Sequence, residues 1–504
     1  MQSKTFPYTL SLAAGAALPL AFAPFHLSLL AILSPAILLY GWLHFYTTAK
    51  QSFISGLMFG LGLFTVGASW VYISIHTYGQ ASTPLAFLIT ALFVFALALF
   101  PALQGYLFHK ITPNNNINKT LLVFPASWAI FEWLRTFVLS GFPWLFLGYS
   151  QINTPLKNLA PFVGVYGISW AVALTSALLV CLILEKNKTR KIIFIVTLGL
   201  LWFLSGALHQ SNEYFIKPKG SPIRVSLIQG NIPLETKWDS KQIPVVLQTY
   251  AALSAEHWQS SLIVWPEAAI PALQWQVTDY LKNLQQNAKI HNTTIVSGII
   301  FQDEKNKKYY NSMISLGVNN GLYLKKHLVP FGEFLPLQSS LSWLLNFLHI
   351  PWSNLTPGME NQPKFVAANL AIAPFICYEI AYPYLALRYF PYTDLLVTIS
   401  EDSWFGRSLA AEQQLEIARM RSLETGRYQV VSSNNGLTAI INQHGKLEAK
   451  IPAFQQAVLT GEVYAMEGIT PWVNYGYYLW IVAALCSLGV GIARNGKNKT
   501  KKVK

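Results

Sequence analysis

The 504-residue chain is 53% hydrophobic and 14% aromatic, and only 12% of it is charged, about half the roughly 25% usual in a soluble domain. A wholly water-soluble protein is therefore excluded. The net charge of +14 does not mark a nucleic-acid partner: between residues 210 and 465 twenty Lys and Arg meet nineteen Asp and Glu, so the excess lies around the apolar segments.

Crossing a hydrocarbon core takes about 20 apolar residues in a helix. Stretches of that kind run near 7–25, 27–46, 52–75, 84–108, 119–142, 160–184, 192–209 and 473–493, which predicts about eight transmembrane helices. The first begins after Lys4 and passes "AFA" at 21–23, a small-residue pattern that a signal peptidase would cut. Its long apolar part and the spans that follow at once favour an uncleaved helix, and either reading sends the chain into the membrane. With the N-terminus inside, Lys4, Lys50, Lys110, Lys119, the cluster Lys186, Lys188, Arg190 and Lys191, and the tail from Arg494 to Lys504 all fall on one side. The other side carries little beyond Arg135 and Lys157. Positive charge stays inside, so both termini are expected in the cytoplasm and the 210–465 segment outside. The chain thus divides into a membrane part over 1–210 with about seven helices, an external domain over 211–468, and a final helix with a basic tail over 469–504. A transporter would need ionisable groups within its spans. Few occur here, chiefly Glu132 and Arg135, spaced to pair at i and i+3.

The external segment alternates short β-branched runs with helical stretches. "IRVSLIQGN" precedes a helix through "PVVLQTYAALSAEHW"; "SLIVWPEAAI" precedes a helix through "VTDYLKNLQQNAKIHN"; "TTIVSGIIF", "YYNSMISLG", "GLYLKKHLVPFGEF" and "FVAANLAIAPFICYE" follow. The segment closes with "DLLVTISEDSWFG", a helix "AEQQLEIARMRSLETGR", and "YQVVSSNNGLTAIINQHGK", whose Asn434, Asn435 and Gly436 supply turn chemistry between two strands. Strands alternating with helices of this length predict an α/β domain. One stretch fits neither pattern. "LQSSLSWLLNFLHIPWSNLTPG", 337–358, is apolar all round yet too short to span. It reads either as a helix buried in the core or as an arm that dips into the outer leaflet and handles lipid.

Of three cysteines, Cys181 and Cys486 lie in predicted spans, so Cys377 is expected as a free thiol in the external domain. It ends an apolar run, as do Glu267 in "IVWPEAAIP" and Lys325 in "LYLKKHLVPFGE". Each alone has an ordinary reading: a buried thiol, a solvated carboxylate, a surface lysine. Together they supply a covalent mechanism. A thiol needs a base and a nearby positive charge to attack an acyl group; a carboxylate can take its proton, and an ammonium with a backbone amide can hold the oxyanion. Neither histidine nor metal is required, and no cysteine or histidine spacing matches a zinc site.

These three segments resemble the nitrilase superfamily, whose Glu, Lys and Cys occur in this order. More narrowly, the whole chain resembles the apolipoprotein N-acyltransferase family through an ordered set of strings: "QGNIP", Trp238 in "KWD", "WPE" at 265–267, "KHLVPFGEFLP" at 326–336, "CYE" at 377–379, "WFG" at 404–406 and "NNG" at 434–436. The resemblance implies a multi-pass α-helical membrane domain carrying an extracytoplasmic nitrilase-like αββα sandwich, in a bacterial inner membrane, with no cofactor or metal. It implies Cys377 as nucleophile, Glu267 as general base and Lys325, two residues before His327, as oxyanion stabiliser; Lys326 falls on the opposite strand face. Supporting roles go to Glu333, Tyr378 and Glu379 near the nucleophile and to Trp238 on a mobile loop at the substrate entrance. Trp238 also reads as packing, and Glu379 as a partner for an arginine such as Arg388. Glu401 in "ISEDSWFG" departs from the family's asparagine, and Arg421 with Glu424 reads as scaffold.

The implied reaction takes an acyl chain from a phospholipid, phosphatidylethanolamine in particular, onto Cys377. It then passes the acyl group to the α-amine of a diacylglyceryl-cysteine at an apolipoprotein N-terminus, in a membrane-embedded monomer. The rival reading with the same three residues is a membrane-tethered nitrilase-like amidase using water; the apolar 337–358 stretch argues against it.

Overall fold

The computed structural model describes residues 5–112, 117–334 and 354–500, and within these the chain forms two compact units. One comprises 1–72, 82–212 and 474–504; the other comprises 73–81 and 213–473. Residues 337–353 of the apolar stretch singled out by its composition lie outside the described residues.

The first unit is helical: α1 (Phe6–Ala17), α2 (Leu30–His44), α3 (Ala49–Gly67), α4 (Thr83–Ile111), α5 (Ile117–Arg135), α6 (Ala160–Leu184), α7 (Lys188–Ala207) and the C-terminal helix Tyr478–Thr500. Thr48 caps α3, its hydroxyl accepting from the Gln51 N–H while the Gln51 side chain accepts from the Thr48 N–H. Small residues let α1, α3 and α4 approach closely: a Cβ on Gly15 would stand 2.0 Å from the Phe59 carbonyl oxygen, and one on Gly56 2.1 Å from that of Pro101. Among the described residues three helical segments are long and apolar enough to cross a membrane, Thr83–Ile111, Pro155–Leu184 and Lys188–Ala207, with a fourth if the bent pair Ala49–Gly67 and Val71–Tyr78 counts as one. The sequence predicted about eight spans. Of the other predicted runs, Phe6–Ala21, Leu30–His44 and Tyr478–Ile492 are apolar but shorter than 18 residues. The first segment leaves α-geometry after Ala17 and ends in a 3-10 turn before Pro24, and the run predicted to reach residue 142 stops at Arg135, ahead of Gly141 and Pro143. Glu132 accepts from the Trp128 indole and the Leu147 N–H, and Arg135 donates to the Trp144 carbonyl between the Phe64 and Phe146 rings.

The second unit is an α/β sandwich. Its strands are β1 (Ile216–Pro218), β2 (Ile223–Gln229), β3 (Leu262–Val264), β4 (Ile270–Leu273), β5 (Thr294–Asp303), β6 (Lys308–Gly317), β7 (Gly321–Leu324), β8 (Phe365–Ala367), β9 (Leu370–Ile376), β10 (Leu395–Ser400), β11 (Gln429–Ser433), β12 (Thr438–Ile441), β13 (Leu447–Ile451), β14 (Ala457–Val463) and β15 (Met466–Gly468). A seven-stranded sheet orders β14-β2-β3-β5-β6-β7 with β4 beside β5; a six-stranded sheet orders β13-β12-β11-β10-β9-β8; β1 and β15 form a separate pair. The strands expected from the sequence end with the run that closes at Lys446 and do not include β13 to β15. Their side chains alternate or stay half-exposed, so they lack the continuous apolar runs of the buried strands.

Helices α8 (Ile243–Ser254) and α9 (Thr278–Ile290) cover the seven-stranded sheet, burying Tyr250 and Leu284 against Ile228, Ile263, Trp265 and Ile295; each such side chain contributes about 1.5–3 kcal/mol. The sheets meet where Ser432 on β11 donates to the carbonyls of Ile228 and Val264. Helix α10 (Ala410–Thr425) packs on the turn after β9 and ends at Gly426, whose φ of +64° is the left-handed cap that glycine favours. Buried Arg421 and Glu424 pair on it. Residues 73–81 join this unit on the 402–405 turn, Ser74 donating to the Trp404 carbonyl at 2.7 Å.

Candidate active site

The parallel strands β3, β9, β10 and β11 all deliver polar residues just past their carboxyl ends, where open α/β sheets place ligand chemistry. In the six-stranded sheet Ile376 pairs with Ile399 and Ser400 with Ser433. Cys377, the Glu401–Asp402 pair and Asn434 therefore emerge side by side. In the other sheet Val264 pairs with Val296, and the chain turns after Pro266 to present Glu267. Gly298 on β5 permits this turn: a Cβ there would stand 2.4 Å from the Ala268 nitrogen and 2.7 Å from the Glu267 Cα. Trp265 of the same run is core, stacked on Tyr250 and donating to Ser254. Lys325 follows β7 directly, its N–H held by the Asn311 carbonyl.

The side chains converge. Lys325 Nζ lies 3.4 Å from Glu267 Oε1 and 2.9 Å from the Glu333 carboxylate. Asn311 Nδ2 donates to both Glu267 Oε1 and Glu333 Oε1 at 2.7 Å, and the Glu401 N–H donates to Glu267 Oε2 at 2.9 Å. Burial works to lower the Lys325 ammonium's pKa, but the Glu333 and Glu267 carboxylates overcome it and hold the group charged. Cys377 is buried with φ of +54°, a left-handed conformation that a non-glycine residue seldom adopts and that clusters at functional sites. Burial and the Glu267 carboxylate push its thiol well above the ordinary range; Lys325 and a hydrogen bond with Ser400 pull the other way.

Glu379 ties the lysine to the cysteine. Its Oε1 accepts from the N–H groups of Lys326 and His327 and from the Tyr323 hydroxyl, and its Oε2 accepts from the Ile376 N–H. The strand end bearing Lys325 and the turn bearing Cys377 thus share one carboxylate, whose pKa burial raises against the pull of Lys325 and those N–H groups. The suggested pairing with Arg388 does not occur; Arg388 meets Glu360 instead, because Glu379 points inward to the backbone donors. Tyr378 packs edge-on to Tyr382 beside His327. Trp238 is 48% exposed, following the helical turn Leu234–Lys237.

Sequence reasoning passed over Asn311, Lys237 and Asp402. Asn311 carried a signal, an amide inside the apolar run "YYNSMISLG". Lys237, beside Trp238, is fully buried; its ammonium donates to the Glu267 carbonyl at 3.0 Å and pairs with the Glu401 carboxylate. Glu401 also accepts from Ser403 and Asn434. Asp402 sits among Ser400, Ser433 and Gln414, under Gly436, where a Cβ would meet its carboxylate at 1.9 Å. Burial pushes its pKa up to about 6 against the hydrogen bonds of Ser400 and Ser433. Among the described residues no group of His, Cys, Asp and Glu is arranged to hold a metal ion.

Two family profiles match the chain: "Apolipoprotein N-acyltransferase N-terminal domain" over residues 14–178 and "Carbon-nitrogen hydrolase" over residues 224–471. The chain is 44% identical over 470 residues to an apolipoprotein N-acyltransferase of Coxiella burnetii, an alignment covering 93% of this chain and 96% of that one. The chain belongs to the apolipoprotein N-acyltransferase family. A member from Methylococcus capsulatus is 40% identical over 492 residues, covering 97% of this chain and 96% of that one. Among solved structures, the nitrilase-superfamily protein Nit3 of Saccharomyces cerevisiae is similar at 17% identity with a TM-score of 0.37, over 49% of this chain and 91% of that one. Membership in the family fixes the second unit as a nitrilase-like carbon-nitrogen hydrolase domain and the protein as an acyltransferase.

Proposed function

We propose that the protein transfers an acyl chain from a membrane phospholipid to the N-terminal amine of diacylglyceryl-cysteine in apolipoproteins, through a thioester on Cys377. Phosphatidylethanolamine is the donor, and the enzyme acts as a monomer in the bacterial inner membrane. About eight helices hold it there, residues 1–210 and 469–504 forming the membrane part. Both termini face the cytoplasm, following the lysine distribution, and the domain over 211–468 works on the periplasmic side.

Glu267 takes the Cys377 proton as the sulfur attacks the ester carbonyl carbon. The tetrahedral oxyanion is held by the Lys325 ammonium and the backbone N–H after the nucleophile. The carbon–oxygen bond then breaks, Glu267 returns the proton to the departing alkoxide, and lysophospholipid leaves. The acceptor amine next attacks the thioester; Glu267 accepts an amine proton, the carbon–sulfur bond breaks, and the proton passes to the Cys377 thiolate. Glu333 and Glu379 position Lys325 and the nucleophile turn, Tyr378 lines the turn, and Trp238 stands at the entrance.

The observation that carries this reading is the convergence of Lys325 on Glu267 at 3.4 Å, at strand ends that also deliver Cys377, in a chain of this family. Burial of the site favours a thioester shielded from water. The test is intact-mass measurement of the purified protein in phosphatidylethanolamine micelles without acceptor. One fatty-acyl increment is expected, released by neutral hydroxylamine, discharged by a diacylglyceryl peptide and absent from Cys377→Ala. Free fatty acid as sole product, with no transfer to the peptide, would show a hydrolase that uses water as acceptor instead.

A further inference from the structure

Beside the nucleophile turn, but outside it, the second unit holds an open cavity of about 590 Å³ bordered by the edge strand β8, its neighbour β9, the 360–364 segment and residues 388–393. That volume falls within the range of about 300–1,000 Å³ typical of small-ligand sites. Its charged lining is unbalanced, with Lys326, Lys364 and Arg388 against Glu360 alone. Arg388 and Glu360 pair with each other, so Lys326 and Lys364 are left over. Lys364 lies over the Tyr392 ring, 3.6 Å from its centroid, and Lys326 over Tyr389 at 4.9 Å. Neither ammonium has a carboxylate within ion-pair distance among the described residues. Lys364 stands exposed at the rim, whereas Lys326 is half-buried; ring faces offset part of the cost of holding the Lys326 cation away from water, but a half-buried ammonium facing a cavity is best balanced by an anion entering it.

We infer that this cavity binds a phosphate-bearing anion, with Lys326 and Lys364 as its charge partners and the rings of Tyr389 and Tyr392 flanking the organic group attached to the phosphate. The chemistry fits a phospholipid head group and a soluble organophosphate equally. Burial lowers the pKa of Lys326 and Arg388 lowers it further, against the opposing pull of Glu379, so a bound anion would relieve a cation that the fold strains. The wall is shared with the active site: Tyr323 lines the cavity and its hydroxyl donates to Glu379, while the Lys326 N–H donates to the same oxygen. Occupancy would therefore stiffen the carboxylate that ties Lys325 to Cys377. Binding itself does not depend on the chemistry proposed for Cys377.

The test is hydrogen–deuterium exchange on full-length Cys377→Ala protein, in which turnover is absent and failure of the acyl-transfer reading has no bearing. The probes are inorganic phosphate and glycerophosphoglycerol in maltoside micelles, and lipid nanodiscs of phosphatidylglycerol compared with maltoside alone. Protection of peptides over 360–365 and 388–393 is expected. Lys364→Met, a change at an exposed rim position, and Lys326→Met should each weaken it by about tenfold or more, the worth of one charge-assisted hydrogen bond. Protection by the soluble probes identifies the phosphate group itself as the ligand, and protection by nanodiscs alone identifies the lipid head group; either supports the site. No protection by any probe, protection equalled by chloride at matched ionic strength, or protection that survives the Lys326→Met/Lys364→Met double change in protein with an unaltered melting curve would overturn it.

Discussion

The Lys237 ammonium and the Glu401 carboxylate form an ion pair in the interior of the catalytic domain, with the same ammonium bonded to the Glu267 carbonyl. Glu401 brings a negative charge next to Glu267, whose Oε2 accepts from the Glu401 N–H; Lys237 is the cation that offsets it. The pair also pins the loop that ends in exposed Trp238 to the floor of the site. Removing one partner strands a buried charge, which costs about 3–5 kcal/mol, whereas removing both is far cheaper. Lys237→Met is expected to lower the melting temperature and slow thioester formation, and Lys237→Met/Glu401→Gln to recover most of the stability. Thermal melts of the single and double variants in detergent check this; a double variant no more stable than the single would refute the coupling.

The Cys377 thiol carries a second expectation. The Glu267 carboxylate raises its pKa and Lys325 lowers it. Glu267→Gln should therefore move the pH midpoint of iodoacetamide labelling at Cys377 downward, and Lys325→Met should move it upward. Thioester formation from phospholipid should nevertheless fall in Glu267→Gln, by roughly 10²–10⁴, because the proposed general base is gone. Peptide mass mapping across a pH series separates Cys377 from exposed Cys486. A variant that labels faster yet acylates more slowly would identify Glu267 as the base rather than as a mere packing group.

These arrangements were unevenly legible in the sequence. Glu267, Lys325 and Cys377 announce themselves because each follows an apolar run, and a run that ends in a polar residue marks a strand edge. Lys237 does not: a lysine in "ETKWDSK" reads as solvated, and only tertiary contact with Glu401, 164 positions away, makes it a buried cation. Strands β13 and β14 were hidden for the converse reason, since their half-exposed faces dilute the apolar signal. In the helical unit, hydropathy locates apolar runs but does not see where the helices end within them, as at Ala17 and Arg135.

Glu379 offers a third test. Its two oxygens together accept from three backbone N–H groups and one hydroxyl, and a glutamine keeps only one acceptor. If the amide carbonyl serves Lys326 and His327, its NH₂ meets the Ile376 N–H, donor against donor, in a fully buried place. The cost is about 1–3 kcal/mol. Glu379→Gln is expected to lower the melting temperature and to reduce the rate of acyl-enzyme formation at saturating phospholipid, because the tie between Lys325 and Cys377 loosens. Stopped-reaction mass spectrometry gives the rate, and an unchanged rate in a destabilised protein would confine Glu379 to a structural role.

Asp402 sets the direction of a pH effect. Burial, with repulsion from Glu401 and Glu267, lifts its pKa from the ordinary 3.8 to about 6 in the folded protein, although Ser400 and Ser433 hydrogen-bond to it. Between about pH 4 and pH 6 the folded state therefore holds a proton that the unfolded chain has released, and stability falls as pH rises through that window. The two-unit difference corresponds to roughly 3 kcal/mol in all. Asp402→Asn cannot ionise, so its melting temperature should lose this share of the pH dependence while keeping hydrogen-bonding partners for Ser400 and Ser433. Melting curves of wild type and Asp402→Asn from pH 4 to pH 7 should diverge as the pH climbs, the variant gaining on the wild type. Parallel curves would mean that Asp402 is ionised throughout, and that its serine partners, rather than a proton, compensate its burial beneath Gly436.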